Sequence, residues 1–221
     1  MSGVEGGNIK GGVILKKLRK TKTNISLFLS LSVFFLSSFF ILSSASSETV
    51  RYNFDSATSK IIFKGKSTLH SFEGEATEIS GFAQGDTENI DRNPKGNFQV
   101  KVKSMKCEKE KMTANMLEDM EADKYPTIDF ELQDVSILKQ PDESNKYYLV
   151  SISGKLTIHG VTKEITFPAD VEITEKDFNL HANVPLSLKD FNIKPSSFLF
   201  FLRVKDRIDL EIHIHGLREN V

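Results

Sequence analysis

The sequence predicts a mainly β domain of antiparallel strands with one short helix, preceded by an N-terminal signal peptide. Three observations support this prediction. Apolar and polar residues alternate with a period of two over most of the chain, which is typical of strands that bury one face. One central stretch instead repeats its apolar residues every four positions, as an amphipathic helix does. A charge-free apolar segment lies near the N-terminus.

The first 45 residues have the composition of an export signal. Five basic residues lie between positions 16 and 22, and the eighteen residues 25–42 carry no charge. Small side chains follow at residues 43–47, so we predict cleavage near Ala45 and a periplasmic or secreted domain of residues 46–221. The alternative is a domain anchored in the membrane by residues 25–42, because eighteen helical residues at about 1.5 Å each just span a bilayer core.

Five alternating segments follow one another along the mature chain. Each has one apolar and one polar face, and the apolar faces must pack on another sheet or on one another. Barrel closure would also remove exposed sheet edges. The apolar positions of these segments are Phe98, Val100 and Val102; Ile128, Phe130 and Leu132; Tyr148, Val150 and Ile152; Phe178, Leu180, Ala182, Val184 and Leu186; and Ile208, Leu210, Ile212 and Ile214.

Residues 108–123 are predicted to form the helix. Met112, Met116 and Met120 recur every four positions, and Tyr125-Pro126 disfavours helix beyond this stretch. A methionine stripe of this kind indicates packing over one barrel end, with ligand contact as the alternative. Turn-rich connections are predicted at residues 85–96 and 141–146.

A β-hairpin is predicted over residues 154–167. Leu156 and Ile158 alternate with polar residues, as do Ile165 and Phe167, and His159-Gly160-Val161-Thr162 connects the two strands. Glycine adopts the positive φ that a tight connection often needs.

The run Leu-Thr-Ile-His-Gly-Val-Thr-Lys at 156–163 resembles a segment of the YceI-like family of lipid- or polyisoprenoid-binding proteins. Residues 59–63 and 69–74 are similar to the opening strands of that family, and residues 122–130 to its helix-to-strand transition at a Tyr-Pro step. The resemblance covers about residues 50–216. Many relatives carry an Arg and a His in the helix, where this chain has Lys-Met-Thr-Ala-Asn-Met at 111–116. Any role of that Arg and His in the relatives is therefore not assigned to this chain.

The resemblance implies a lipocalin-like antiparallel barrel of about eight strands that holds a polyisoprenoid, an isoprenoid quinone or a similar long-chain lipid without catalysis. His70 and His159 match motif positions, where a role in a turn or a buried hydrogen bond is the main expectation and contact with a lipid head group the alternative. From the alternation we predict that the following residues line the ligand: Phe98, Val100, Met116, Phe130, Leu132, Val150, Ile152, Phe167, Leu180, Val184, Phe200, Ile208, Leu210 and Ile212.

Catalytic, metal-binding and nucleic-acid-binding functions find little support in the sequence. None of the common hydrolase, zinc-protease, redox or phosphate-loop motifs occurs, so no enzyme activity and no cofactor are predicted. His213 and His215 share one face of a strand, which we interpret as a solvated polar face rather than a metal site. Cys107 is the only cysteine, so no internal disulfide forms, and we predict an inert buried thiol.

The charge balance and one aromatic run bear on partners. The full chain has 29 basic and 30 acidic residues, and without residues 1–45 these become 23 and 29, a net charge of −6. An acidic domain without a basic tract argues against nucleic acid and against docking on anionic lipid. The apolar run at residues 198–202 is interpreted as buried packing, with a homodimer or partner surface as the alternative. Two rival functions stay open: a filled barrel that acts as a secreted interaction module, and an enzyme acting on a lipid.

Overall fold

A computed structural model describes residues 49–86, 89–195 and 204–219, all within the compact unit Ser47–Val221. The predicted signal peptide, the apolar run at 198–202 and Phe200 therefore lie outside the described residues. Among the helices of the described ranges, none is long and apolar enough to cross a membrane.

Strands make up most of the described chain. One α-helix, α1, spans Glu110–Asp119, and short 3-10 helices lie at Val102–Ser104 and Leu188–Phe191. The strands are β1 Thr49–Phe54, β2 Lys60–Ser67, β3 Ser71–Ala76, β4 Ile79–Asp86, β5 Lys95–Lys101, β6 Lys106–Cys107, β7 Thr127–Lys139, β8 Tyr148–Ile158, β9 Val161–Ile173, β10 Asp177–Ser187 and β11 Val204–Arg218.

Eight of these strands close into an antiparallel barrel in the order β1-β4-β5-β7-β8-β9-β10-β11. The ring is completed by β1 and β11, which pair from Tyr52 opposite Arg218 to Phe54 opposite Gly216. The predicted mainly β, lipocalin-like barrel is therefore confirmed, with one α-helix among the residues that the structure describes. The predicted connection at residues 141–146 lies between β7 and β8, whereas the one predicted at residues 85–96 overlaps the end of β4 and the start of β5.

Strands β2, β3 and β6 form an extension that we call the side sheet. β11 is long enough to pair with β1 near its C-terminal end and with β2 along its N-terminal part, and β3 and β6 continue outward from β2. A turn after β1 separates it from β2: the Asp55 carboxylate accepts hydrogen bonds from Ala57 N and Thr58 Oγ1. Along its N-terminal part, β11 therefore pairs with the side sheet and not with the next strand of the closed ring.

The predicted hairpin is formed by β8 and β9, but its connection is shorter than the predicted residues 159–162, because Val161 and Thr162 already pair with β8. Its two-residue turn consists of His159 and Gly160, with φ values of 52° and 72°. Positive φ at both positions is what a type I′ turn requires, and this turn matches the twist of the flanking strands. Leu156 and Ile158 are buried and Lys155 is exposed, as the alternation predicted.

The helix is shorter than the predicted stretch of residues 108–123. After the C-cap Met120, Glu121 adopts a left-handed φ of 45° and donates its N–H to Glu118 O, while Ala122 N–H donates to Leu117 O. These two bonds form a Schellman motif, which ends the helix. Because this position holds a glutamate and not the usual glycine, the sequence did not indicate that the helix ends here.

Candidate functional site

The barrel interior contains two apolar cavities of different size. The wide cavity has a volume of about 570 Å³ and lies at the end of the side sheet and α1. The narrow cavity has a volume of about 120 Å³ and lies at the end where β1, β4 and β5 belong to the closed ring. Ligand sites in proteins occupy about 300–1,000 Å³, so only the wide cavity reaches that range.

Every described residue that the sequence predicted to line a ligand faces one or both cavities. The wide cavity alone is lined by Val100, Met116, Val184, Ile208 and Leu210. The narrow cavity alone is lined by Leu132, Val150, Ile152 and Leu180. Four residues face both cavities: Phe98, Phe130, Phe167 and Ile212. The inferred strand phase thus places these side chains inside the barrel, and their contact with a ligand stays a prediction.

Three phenylalanines separate the cavities, and we call Phe98, Phe130 and Phe167 the aromatic layer. The Phe98 and Phe130 rings stack with centroids 5.2 Å apart, and the Phe130 and Phe167 centroids are 5.9 Å apart. Gly154 of β8 makes room for the central ring, because a Cβ at this position would lie 2.4 Å from Phe130 Cζ. The layer therefore depends on a glycine beneath its middle member.

Helix α1 covers the wide cavity with its methionine face. Met112, Met116 and Met120 all line this cavity, and residues 110–119 include no buried residue. Because methionine is flexible and polarisable, it adapts to irregular apolar surfaces. The covering position agrees with the interpretation of the stripe as packing over a barrel end. The same side chains also face the open volume.

Polar residues of the β2–β3 turn and of α1 are among those that line the wide cavity, and we call three of them, His70, Lys109 and Asn115, the polar rim. His70 belongs to the β2–β3 turn, whereas Lys109 and Asn115 belong to the start and middle of α1. His70 and Lys109 are exposed, so the cavity meets solvent at these residues. His70 backbone groups bond to Ser67, while its imidazole has no hydrogen bond to the part of the chain that the structure describes.

His159 lies away from both cavity walls and links three segments. Its Nε2 is 3.1 Å from Glu121 Oε1, its Nδ1 is 3.3 Å from Phe191 O, and its ring packs edge-on against Tyr125 at 4.6 Å. The two family motifs therefore meet in space, since one contributes His159 and the other Tyr125. Lys124 and His159 both lower the pKa of Glu121, with Lys124 as the larger cause. This geometry supports a role in the turn rather than in head-group contact.

The remaining candidate residues also have defined surroundings. His213 and His215 lie on the outer face of β11, where His215 Nδ1 is 2.8 Å from Thr58 Oγ1 and His215 Nε2 is 3.2 Å from Asp177 Oδ1. The thiol of Cys107 is half-buried beside Met116, and burial raises its pKa. Within residues 49–86, 89–195 and 204–219, no three or more His, Cys, Asp and Glu side chains are grouped to hold a metal ion.

Together, the closed eight-stranded ring and the apolar interior define a lipocalin-like β-barrel with an internal cavity. The model of the YceI-like domain matches residues 52–216, and the chain therefore belongs to the YceI-like family. A search of curated proteins gives no match.

Solved structures with the same fold come from several bacteria. Burkholderia cenocepacia BcnA is 20% identical, with 73% of this chain and 98% of that chain covered and a TM-score of 0.61. A polyisoprenoid binding domain from Saccharophagus degradans, implicated in plant cell wall breakdown, is 12% identical, with 76% and 98% covered and a TM-score of 0.61. The Campylobacter jejuni YCEI protein is 20% identical, with 66% and 85% covered and a TM-score of 0.54.

Proposed function

We propose that this protein is an exported carrier that holds a polyisoprenoid, an isoprenoid quinone or a similar long-chain lipid in the wide cavity, without catalysis. The observation that carries the proposal is the apolar interior volume of about 570 Å³ beside a solvent-facing polar rim. A barrel filled by its own side chains would leave no such volume. The open interior therefore favours a carrier over the filled interaction module.

Burial of the lipid chain supplies enough free energy for binding. Each five-carbon isoprene unit contributes about 3–4 kcal/mol when it leaves water, at about 0.8 kcal/mol per carbon. Association and ordering oppose binding by about 4–15 kcal/mol. A few units are sufficient to outweigh this cost, so affinity requires no specific polar contact.

The two ends of the wide cavity give the lipid a direction. The polar end lies at the polar rim, where His70, Lys109 and Asn115 offer hydrogen-bonding groups next to solvent. The apolar chain runs inward from there and ends against the aromatic layer. The narrow cavity beyond the layer is smaller than the cavity of about 150 Å³ that holds one benzene molecule, so it accepts at most a chain end.

Relatives and the N-terminal composition support the remaining parts of the proposal. The Saccharophagus degradans relative is described as a polyisoprenoid binding domain, and it shares this fold. Export follows from the basic and apolar segments before residue 45, with membrane anchoring through residues 25–42 as the alternative. A carrier also fits the absence of a recognisable catalytic motif from the sequence.

Native mass spectrometry tests the proposal. The full chain is expressed in an exporting bacterial host, purified gently, and measured in native and denaturing modes before and after organic extraction. We expect one extractable long-chain lipid per chain, and incubation with a quinone or polyprenol should return that lipid unchanged. A bare chain after exposure to such lipids would reject the carrier function, and a chemically altered lipid would support an enzyme instead.

A further inference from the structure

Two histidines meet on the outer face of the barrel, and neither of them lines a cavity. His181 of β10 lies directly opposite His213 of β11 in the strand register. Their Nδ1 atoms are 2.8 Å apart, and the rings are nearly perpendicular, with an interplanar angle of 84°. His181 is exposed and the His213 side chain is 29% exposed, so an ion from solvent can reach the pair.

The surroundings of His213 prepare its Nδ1 atom to act as a ligand. Its Nε2 is 2.9 Å from Glu211 Oε1, so the Nε2–H donates to the carboxylate and the lone pair remains on Nδ1. Lys64 Nζ lies 2.6 Å from the other oxygen of the same carboxylate and helps to fix its position. Histidines that bind metals usually donate their other N–H to a carboxylate in this way.

The separation of the two nitrogens is close to that of a chelated ion. Two imidazole nitrogens bound at about 2.05 Å to one ion are about 2.9 Å apart at a right angle and about 3.3 Å apart at a tetrahedral angle. The observed 2.8 Å is close to these separations, so the pair must open only slightly while the two rings turn to point their Nδ1 lone pairs at one ion. Because the His213 Nε2–H is engaged by Glu211, the hydrogen bond between the two Nδ1 atoms is donated by His181 and accepted by His213.

We propose that His181 and His213 form a bidentate site for a divalent late transition-metal ion, with Glu211 orienting His213 and water completing the coordination. Imidazole nitrogen suits Cu²⁺, Ni²⁺ and Zn²⁺, with Cu²⁺ binding most tightly. Because no third His, Cys, Asp or Glu joins the pair among the described residues, the site binds an exchangeable ion rather than a structural one. The proposal does not depend on lipid binding.

His215 provides a matched control on the same strand. It faces the same side of β11 as His213, but Thr58 and Asp177 engage both of its ring nitrogens. Removal of this third imidazole leaves the proposed ligands in place. A comparison of single His→Asn variants therefore separates a specific pair from a general contribution of surface histidines.

The test is a calorimetric titration of Ni²⁺ into the full chain, expressed without a histidine tag and purified at neutral pH. We expect one saturable site per chain. His181→Asn and His213→Asn should each weaken binding at least about tenfold, and Glu211→Gln should weaken it by about 10- to 100-fold. His215→Asn should change affinity less than about twofold. Thermal unfolding of each variant verifies that these exposed substitutions leave the barrel folded.

Three results would overturn the proposal. The first is an absence of saturable Ni²⁺ binding by the folded wild-type chain. The second is unchanged affinity in His181→Asn, which would place the ion elsewhere. The third is an equal loss of affinity in His215→Asn, which would make binding a property of the whole histidine-rich face.

Discussion

The two ends of the barrel interior share one alternating sequence pattern but differ almost fivefold in free volume, with about 570 Å³ at one end and about 120 Å³ at the other. At the narrow end the strands form a continuous ring, and Tyr52 and Phe54 each pack against Phe178 with ring centroids 6.0 Å apart. At the wide end the side sheet leaves the ring, and flexible methionines of α1 cover the opening.

This difference shows what decides whether a barrel is hollow. Alternation selects the side chains that point inward, and it does so equally well at both ends. The continuity of the strands and the size of the inward side chains then determine how much space remains. Changes in the aromatic layer, in the wall of the wide cavity and at the polar rim therefore test the comparison in different ways.

Phe130→Ala should have the largest effect, because it removes the central ring between the cavities. We expect the free energy of unfolding to fall by about 3–5 kcal/mol. The bound lipid pool should shift to longer chains, since the narrow cavity becomes continuous with the wide one. Urea unfolding and mass spectrometry of extracted lipid measure the two effects.

Two further variants keep this prediction testable. Tyr147→Ala removes an aromatic ring outside both cavities and should leave chain length unchanged. Phe130→Leu retains more packing and should produce a smaller shift in the same direction if the alanine variant does not fold. Unchanged chain length in a folded Phe130 variant would show that the aromatic layer does not limit the ligand.

Gly154→Ala should disturb the aromatic layer by placing a methyl group against the Phe130 ring. The new methyl group would lie 2.4 Å from both Phe130 Cζ and Glu131 O, so we expect a loss of about 1–3 kcal/mol in the free energy of unfolding. Gly85→Ala is the matched control, because its nearest atoms would be 3.9 Å away. Equal free energies of unfolding in urea for the two variants would contradict the close packing of Phe130 against Gly154.

Leu210→Trp should fill part of the wide cavity without touching the narrow one. We expect lipid loading to fall at least about tenfold, equivalent to about 1.4 kcal/mol, while the barrel stays folded. Lys155→Trp adds the same side chain on the outer face and should leave loading unchanged. The ratio of loaded to bare chain in native mass spectra measures both variants, and equal loading would place the lipid elsewhere.

The smallest effects should come from the two motif histidines, which we expect to act on different quantities. His70→Ala should reduce loading by about two- to tenfold, the equivalent of one hydrogen bond, with stability unchanged. His159→Ala should instead lower the free energy of unfolding by about 1 kcal/mol and leave loading unchanged, because its partners are Glu121 and Phe191. If His159→Ala reduced lipid loading and His70→Ala did not, His159 and not His70 would be the residue that contacts the lipid.

Features written in local sequence could be predicted. The alternation around Phe130 and Leu210 identified inward positions, and Gly160 identified the hairpin connection, which was predicted two residues longer than the observed turn. Both depend on neighbouring residues and on the period of two along a strand. The methionine stripe identified the helix for the same reason, although its end at Glu121 lacked the usual glycine signal.

Features that depend on distant pairing could not be predicted. The side sheet exists because β11 pairs with both β1 and β2, which no local pattern records. His181 escaped notice because only the register of β10 with β11 brings it opposite His213. The volume of the wide cavity depends on the sizes and rotamers of all its lining residues together, so alternation alone left a hollow and a filled barrel equally acceptable.

A crystal structure of the protein purified with its lipid would test the central claim most directly. The account predicts continuous density for an apolar chain in the wide cavity, with the polar end beside His70 and the other end against Phe130, and an empty or barely entered narrow cavity. A wide cavity closed by its own side chains, or lipid bound only on the outer surface, would contradict it.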